Sequence, residues 1–401
     1  MRVFAFLVFA ALTLDASGQT TVLRGANVVH PSDGSVTVNA DIIVRDGRIM
    51  AVGPSVSVPA DAEIVDLEGH FLVPGYIDAH VHIASVDALR RALASGVTTA
   101  RSANTPAYQD VTLKEMVRDG ILPGPEILAA GAFVTPQPGD RILGDPRLGH
   151  LYEGINTDDE LRHIVQVNVD RGADVIKTRA TERAGLPDTD PRKQVYTETQ
   201  LRVVVEAAAE LGKPVLVHAH GDEGARAAVL AGARSIEHGT YLTDETLALM
   251  RERGTFLVPT YTILEDLRDP GGDYDDPVLI IRAQHMIPNS ERAIRSAIAM
   301  GVPVVASTDT GYGSGSIARV GTEMVHFSRL GMTPLQALQS ATTVAAELLG
   351  VSSRVGQIAP GFEADLVVLA GNPLEDIRHV QDVLAVMSNG VMAVNRLPFG
   401  R

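Results

Sequence analysis

Short apolar runs alternate with amphipathic helical segments through the middle of the chain, from residue 73 to residue 356. This alternation is typical of repeated βα units around a parallel sheet, and it constrains the fold more than any other feature. Eight runs qualify as strands, and eight βα units within about 280 residues predict an α/β fold of the (β/α)8 TIM-barrel type. The candidate strands are GYIDAHVHI, VTTARSA, EILAAG, ADVIKTRA, PVLVHAH, RSIEHG, FLVPTY and PVVASTD.

Helix signals separate several of these runs. Thr197 and Gln200 have the spacing of a capping box ahead of LRVVVEAAAEL, and Gly212 ends that segment before the next strand. The pair Thr333-Pro334 predicts another helix start, because proline in the first helical turn sacrifices only an N–H that has no partner there.

The two ends of the chain have a different residue pattern, because they are rich in β-forming residues and lack a helical period. The pairs Asp46-Gly47 and Asn389-Gly390 stand between β-rich runs and are hairpin signals. We therefore expect residues 19–72 and 357–401 to form one small domain built from both termini, beside a larger domain of residues 73–356.

Residues 1–18 are predicted to be a cleavable secretory signal, because Arg2 precedes an apolar run that small residues follow. A helix needs about 20 apolar residues to span a bilayer, and no apolar run in the sequence is that long, so no membrane span is expected. The chain has no cysteine, which excludes disulfides and thiolate metal ligands. Its net charge of −15 argues against nucleic acid as a partner. The prediction is a periplasmic or secreted protein that acts on a small molecule; a homo-oligomer is left open.

Histidines concentrate at the carboxyl ends of the predicted strands, where TIM barrels carry their active sites. His80 and His82 end the first strand two residues apart, so both imidazoles face one side. His218 and His220 end the fifth strand, and His238 ends the sixth. A coordinated metal explains this concentration best, since neutral imidazole is the commonest protein ligand for a transition metal.

Two further ionisable residues end predicted strands, Lys177 the fourth and Asp309 the eighth. Desolvation of a charged lysine there is costly unless an anion such as Glu237 pairs with it. A deprotonated lysine can instead react with carbon dioxide to give a carbamate, whose oxygens could bridge two cations. For Asp309 the alternative is a helix N-cap, given the Thr310-Gly311 context.

Taken together, PGYIDAHVHI, VIK, VHAH, SIEHG, STD and the C-terminal ADLVVLAGNPL resemble the amidohydrolase superfamily. The similarity is to the branch of imidazolonepropionase-related proteins and prolidase-like dipeptidases of the Xaa-Pro and Xaa-Arg type. It implies a (β/α)8 barrel carrying a small β-sandwich domain formed from both termini. It also implies a metal-dependent hydrolase that acts on carbon–nitrogen bonds.

The resemblance implies two divalent ions, with zinc favoured, which polarise a substrate carbonyl and activate water. Asp309 would move a proton from the bridging hydroxide to the leaving amine. His220 would contact substrate, tune the second metal or orient a ligand. The ligands carried over by position are His80, His82 and Asp309 for one ion, His218 and His238 for the other, and carboxylated Lys177 as the bridge.

Substrate contacts are predicted from position alone. Tyr241 and Tyr261 lie beyond the sixth and seventh strands, where a phenol could hydrogen-bond a substrate carbonyl. His150 follows the third strand, although the nearby text GAFVTPQPGDRI lacks the Gly-His-Gly element that dipeptidase relatives often carry. The loop from Thr181 to Tyr196 mixes acidic and basic residues and could form a lid or a charge-reading wall; a solvated loop is the alternative.

The predicted function is an exported binuclear amidohydrolase that cleaves an amide or peptide bond in a dipeptide or an N-acyl amino acid. His220 stands where single-metal deaminases of the family commonly have glutamate, and with Lys177 it favours a two-metal hydrolase. A lactonase or esterase, a mononuclear deaminase and a non-catalytic ligand-binding relic remain the alternatives.

Overall fold

A computed structural model describes residues 20–270 and 275–397, and helices and strands alternate through the middle of the chain. The strands are β1 (Thr21–Val29), β2 (Val36–Arg45), β3 (Arg48–Gly53), β4 (Glu63–Asp66), β5 (Phe71–Pro74), β6 (Tyr76–Val81), β7 (Val97–Ser102), β8 (Glu126–Leu128), β9 (Ile176–Arg179), β10 (Val215–Ala219), β11 (Ser235–His238), β12 (Phe256–Val258), β13 (Leu366–Leu369), β14 (Val383–Ser388) and β15 (Val391–Asn395). The helices are α1 (Val86–Ala94), α2 (Gln109–Arg118), α3 (Asp158–Asp170), α4 (Glu198–Glu210), α5 (Asp222–Ala231), α6 (Asp244–Arg253), α7 (Tyr261–Arg268), α8 (Pro277–Met300), α9 (Val320–Arg329), α10 (Pro334–Ser340) and α11 (Thr343–Leu349).

One mixed sheet contains strands from both ends of the chain, in the order β15-β14-β13-β5-β1-β2-β3 with β4 beside β1. The junction is the antiparallel pair of β13 with β5. Both predicted hairpins are confirmed: Asp46-Gly47 and Asn389-Gly390 turn between paired strands with positive φ at all four residues, as type I′ turns require. The arrangement is one sheet, and a two-layered sandwich stays a prediction.

Two parallel sheets form the middle of the chain, one of β6-β7-β8 and one of β9-β10-β11-β12. Isolated parallel bridges join Val134 to Thr178, Leu257 to Val304 and Val81 to Thr310. The eighth predicted strand, residues 303–309, makes bridges but no regular strand, because Pro303 has no N–H to donate and Asp309 has a left-handed backbone. The α/β fold is confirmed, and closure into a barrel stays a prediction.

Helices cover the parallel strands, and β6, β7, β9, β10 and β11 are buried along their whole length. Such burial on both faces is typical of parallel sheets between helices. The predicted capping box is present, because Thr197 and Gln200 exchange hydrogen bonds at the start of α4. The predicted helix start at Thr333-Pro334 is also confirmed, and there Thr333 and Gln336 form a second capping box at the start of α10. These caps fix where two of the covering helices begin.

Two predictions concern membranes and export. Within the residues that the structure describes, no helix is both long enough and apolar enough to cross a bilayer. The predicted signal, residues 1–18, lies outside the described residues, so export stays a prediction.

Candidate metal centre

The carboxyl ends of β6, β9, β10 and β11 open into one cavity of about 250 Å³. Every metal ligand that the resemblance implied lines this cavity, and so does His220. These residues come from distant parts of the chain, so the fold itself gathers them. They are His80, His82, Lys177, His218, His220, His238 and Asp309.

The first group of donor atoms joins His80 and His82 to Asp309. The Nε2 atoms of the two imidazoles lie 3.2 and 3.0 Å from the same Asp309 oxygen, Oδ1. The Asp309 N–H donates to the His80 carbonyl at 2.8 Å, which fixes this backbone against β6. No helix begins at Asp309, because the next helix starts at Val320, so the N-cap alternative is wrong.

A buried carboxylate orients His80 from behind. Oε2 of Glu237 lies 2.5 Å from Nδ1 of His80, which leaves Nε2 to face Asp309. Arg101 donates to both Glu237 oxygens, at 2.9 and 3.0 Å. Burial alone would raise the pKa of Glu237, but the Arg101 charge and the His80 hydrogen bond outweigh it and lower that pKa to about 2. An ionised carboxylate behind an imidazole is the usual support of a metal-binding histidine.

The second group consists of three histidines whose donor atoms lie within 4.8 Å of one another: His218, His220 and His238. His218 donates through Nε2 to the Glu182 carbonyl at 3.0 Å, so its Nδ1 is left for a metal. Nδ1 of His238 is 2.7 Å from the Thr260 hydroxyl, so Nε2 is left there instead. His220 belongs to this group as closely as the other two.

Burial keeps these three imidazoles neutral. It is the largest cause that lowers the pKa of His218 and of His238 well below the usual value, and it lowers the pKa of His220 to about 3. Only a neutral imidazole has a lone pair to offer a cation. The group therefore has the protonation state that metal binding requires.

Lys177 is 3% exposed, and its Nζ has no hydrogen-bond partner among the described residues. Its Nζ lies 5.9 Å from the centroid of the Phe133 ring. Glu237, the anion considered for it, pairs with Arg101 instead. Burial lowers the pKa of Lys177 to about 8, so about a tenth of the amine is neutral at about pH 7, far more than for an ordinary lysine. An orphaned, partly neutral amine suits carbamate formation and does not suit a structural ion pair.

The structure does not bring the three predicted substrate contacts to the cavity wall. Tyr241 hydrogen-bonds His285 at 3.1 Å, and His150 is exposed with its ring 5.3 Å from that of His163. Tyr261 is the first residue of α7, which turns its hydroxyl towards Glu265 and Glu291. None of the three is among the residues that line the cavity.

The sequence did not predict the ion pair of Arg101 and Glu237 behind His80, and Glu237 was expected to pair with Lys177 instead. Both are charged residues inside buried strands, and that anomaly was the available signal for them. Residues of the loops and of α7 carried no motif. The additional lining residues include Asn104, Thr105, Phe133, Arg141, Arg183, Ile263, Leu264 and Leu267.

Comparisons with known proteins agree with this geometry. Residues 71–393 match the model of the amidohydrolase family. The ochratoxinase of Aspergillus niger is 29% identical over 90% of this chain and 83% of its own length. An imidazolonepropionase of Solibacter usitatus is 26% identical over 81% of this chain and 83% of its own. The crystal structure of a Xaa-Pro dipeptidase with bound methionine in its active site superposes with a TM-score of 0.84 and 27% identity, covering 93% of this chain and 99% of that one.

Proposed function

Since the chain belongs to the amidohydrolase family and is a hydrolase acting on carbon–nitrogen bonds, we propose that it cleaves the amide bond of dipeptides or N-acyl amino acids with two divalent metal ions. The observation that carries the proposal is the cavity itself, in which two groups of donor atoms and an orphaned lysine amine lie together. A single-metal site would need only one of these groups.

The residues present fit two metal ions. His80, His82 and Asp309 would hold one ion, and His218 and His238 the other. Imidazole and carboxylate donors suit zinc, and equally manganese or cobalt. When bound, the ions would polarise the scissile carbonyl and lower the pKa of a water molecule towards neutrality.

Lys177 would complete the site as a carbamate. Its neutral amine adds to carbon dioxide, one N–H proton leaves, and the product is an anion with two oxygens. The site needs this charge, because Asp309 is the only carboxylate among the donor atoms of the two described groups. The buried amine makes no competing hydrogen bond with a described residue.

Asp309 would act as base and then as acid. Burial raises the pKa of this carboxyl, but the charge and hydrogen bonds of His80, with the hydrogen bond of His82, lower it well below the usual value. An ionised carboxylate at the strand ends can accept the proton of the attacking water and deliver it to the leaving amine. Oδ1 of Asp309 faces His80 and His82. Proton transfer at this carboxylate would therefore take place next to these two proposed metal ligands.

We also propose the larger architecture and location that the family implies. The three isolated bridges support closure of the parallel strands into a (β/α)8 barrel. Pairing of β13 with β5 supports a composite domain of residues 19–72 and 357–401, beside a barrel of residues 73–356. Export through residues 1–18 follows from the sequence signal alone.

The direct test is metal content and activity of the mature protein. After metal loading we expect about two equivalents of metal per chain by elemental analysis, and hydrolysis within libraries of dipeptides and N-acyl amino acids. One equivalent or none in a folded sample would contradict the two-metal site. Hydrolysis confined to a parallel lactone library would show that the carbonyl chemistry is right and the substrate class is wrong.

The Lys177→Met variant tests the carbamate. Methionine suits the buried position, so we expect a folded protein that retains less metal and loses at least about 100-fold in kcat, as expected for loss of a ligand in a catalytic metal site. The matched control is Lys193→Met, at an exposed position in the loop after β9. Unchanged turnover in Lys177→Met would rule out the carbamate.

A further inference from the structure

The guanidinium group of Arg183 lines the cavity. Arg183 belongs to the loop that follows β9, and it contributes to the cavity wall together with Ala184 and Gly185. Its side chain is half-buried and makes no hydrogen bond or ion pair with a residue in the ranges 20–270 and 275–397. Guanidinium is always charged, and its planar donor fork matches a carboxylate. A guanidinium that pairs with none of the described residues and faces a cavity is therefore well placed to bind an anionic ligand.

The loop that carries Arg183 is fixed in place. Glu182 N–H donates to the Lys193 carbonyl at 2.9 Å, and Val195 N–H donates to the Ala180 carbonyl at 2.8 Å, so the two arms of the loop are paired. Gly221 packs so closely on this loop that an added Cβ would lie 2.4 Å from the Arg192 carbonyl oxygen. Arg183 is thus presented by a preorganised wall, which lowers the entropy cost of binding a ligand.

The remaining wall of the cavity is largely apolar. Ile263, Leu264 and Leu267 line it from α7, and Phe133 lines it from the segment after β8. Arg141 adds a second cationic side chain to the lining. The volume of about 250 Å³ lies near the lower end of ligand pockets, which start at about 300 Å³. The cavity therefore suits a small ligand with one anionic group and one apolar group.

Building on the proposed function, we propose that Arg183 binds the carboxylate of the substrate and selects amino-acid amides that have a free carboxylate and an apolar side chain. The scissile amide then lies at the histidines while the carboxylate lies at the loop. Arg183 contacts substrate and takes no part in the proton transfers, so its effect falls on discrimination between substrates.

The test compares N-acetyl-L-leucine with N-acetyl-L-leucinamide, which has the same shape and lacks the charge. For Arg183→Gln we expect kcat/KM towards the acid to fall about 10- to 100-fold, the loss expected for a hydrogen bond to a charged group. Hydrolysis of the leucinamide should change little. The matched control is Arg192→Gln, an exposed arginine of the same loop that pairs with Asp190 and does not line the cavity. An unchanged acid-to-amide ratio in Arg183→Gln, or an equal change in Arg192→Gln, would overturn the proposal.

A binding measurement separates this inference from the proposed function. If a protein with two metal ions hydrolyses neither compound and no member of the dipeptide and N-acyl amino acid libraries, the proposed amide class is rejected. Calorimetry with L-leucine and L-leucinamide then decides the role of Arg183. Weaker binding of leucine alone in Arg183→Gln, by about 10- to 100-fold, supports the inference, and equal binding of leucine by the wild type and the variant overturns it.

Discussion

Backbone strain collects around the cavity, at residues that hold or face the histidines. Asn104, His238, Thr260 and Asp309 all have positive φ, between 50° and 115°. A β-branched residue such as Thr260 is a genuine outlier there, and each such residue costs about 1–3 kcal/mol. The conformation of Thr260 brings its hydroxyl to 2.7 Å from Nδ1 of His238. The strained backbone of Thr260 therefore places the hydroxyl that orients the His238 ring.

Substitution of Thr260 by valine tests this link. Valine keeps the β-branched shape and removes only the hydroxyl, so the fold should survive while His238 loses its fixed orientation. We expect the affinity for one of the two proposed metal ions to fall about 10- to 100-fold, as is typical when a supporting group behind a metal ligand is lost. A titration against a competing chelator measures each affinity.

Thr240→Val is the matched control, because the Thr240 hydroxyl supports His220 in the same way, at 2.9 Å. If His220 contacts substrate and His238 binds metal, Thr240→Val should leave metal affinity nearly unchanged. Equal losses in the two variants would make His220 a ligand as well, and no loss in Thr260→Val would contradict the orienting role of Thr260.

The strand-end rule located the histidines from the sequence, because each follows an apolar run and parallel strands end at one edge. The pairing of Glu237 with Arg101 could not be predicted in this way, since their mutual hydrogen bonds join strands 136 residues apart in the chain. No short sequence pattern predicts an ion pair between residues so far apart in the chain. Only the fold places this buried pair behind His80.

At the scale of elements, the loop between β9 and α4 depends on one arginine of α8. The Arg282 guanidinium donates to four backbone carbonyls of this loop at 2.6–2.9 Å. Carbonyls inside a loop otherwise need water as a partner, because no ladder satisfies them. Arg282 therefore acts as a clamp that keeps the wall of the cavity in one conformation. The acceptors belong to Ala184, Leu186, Pro187 and Thr189.

Arg282→Met should loosen this loop without unfolding the protein. Methionine retains much of the apolar stem and loses all four hydrogen bonds, so we expect local opening of residues 184–189 to become easier by on the order of 2 kcal/mol. Hydrogen exchange of the loop amides should accelerate about 30-fold, and KM should rise more than kcat falls.

The control is Arg295→Met on the same helix, whose guanidinium donates to the Arg329 carbonyl at 3.3 Å, away from the loop. Equal exchange rates of the loop in wild type and Arg282→Met would show that the backbone pairs alone hold the wall. Faster exchange throughout the chain would indicate general destabilisation and count against a local clamp.

The end of β12 and the start of α7 were not predicted correctly from the sequence. FLVPTY predicts a strand as far as Tyr261, but β12 ends at Val258 and α7 begins at Tyr261. The Glu323 carboxylate accepts from the Tyr261 and Thr262 N–H groups at 2.8 and 2.7 Å, and so caps a helix 61 residues away. A cap supplied from so far along the chain cannot be predicted from local propensity. Because Tyr261 begins a helix there, its hydroxyl points towards Glu265 and Glu291 and does not line the cavity.

A buried acid, Asp365, lies where the sheet of both chain ends meets the parallel strands. Asp365 precedes β13, and its carbonyl accepts from Gly75 N–H at 2.8 Å, just before β6. Its carboxyl accepts from Asn389 N–H at 2.7 Å, in the turn between β14 and β15. Gly75 has no space for a Cβ, which would lie 2.1 Å from the Thr98 hydroxyl. The hairpin signal Asn389-Gly390 predicted the turn but not this contact.

Asp365 should make stability depend on pH. Burial, the largest cause, raises the pKa of this carboxyl from 3.8 to about 7. The folded chain therefore holds a proton that the unfolded chain has lost, so this contribution is fully present below about pH 4 and disappears as pH rises to about 7. For Asp365→Asn, which keeps an acceptor for Asn389, we expect a smaller loss of stability between about pH 5 and pH 8, by on the order of 1–3 kcal/mol.

Urea unfolding of wild type and Asp365→Asn at several pH values measures this difference, and subtraction removes the other titrating groups that the two proteins share. Asp61→Asn is the control, because Asp61 is exposed and its substitution should give a curve parallel to that of the wild type. A parallel curve for Asp365→Asn would mean that this carboxyl is ionised in the folded protein throughout the range. The junction would then hold a buried charge, stabilised by the Asn389 N–H and the Thr98 hydroxyl.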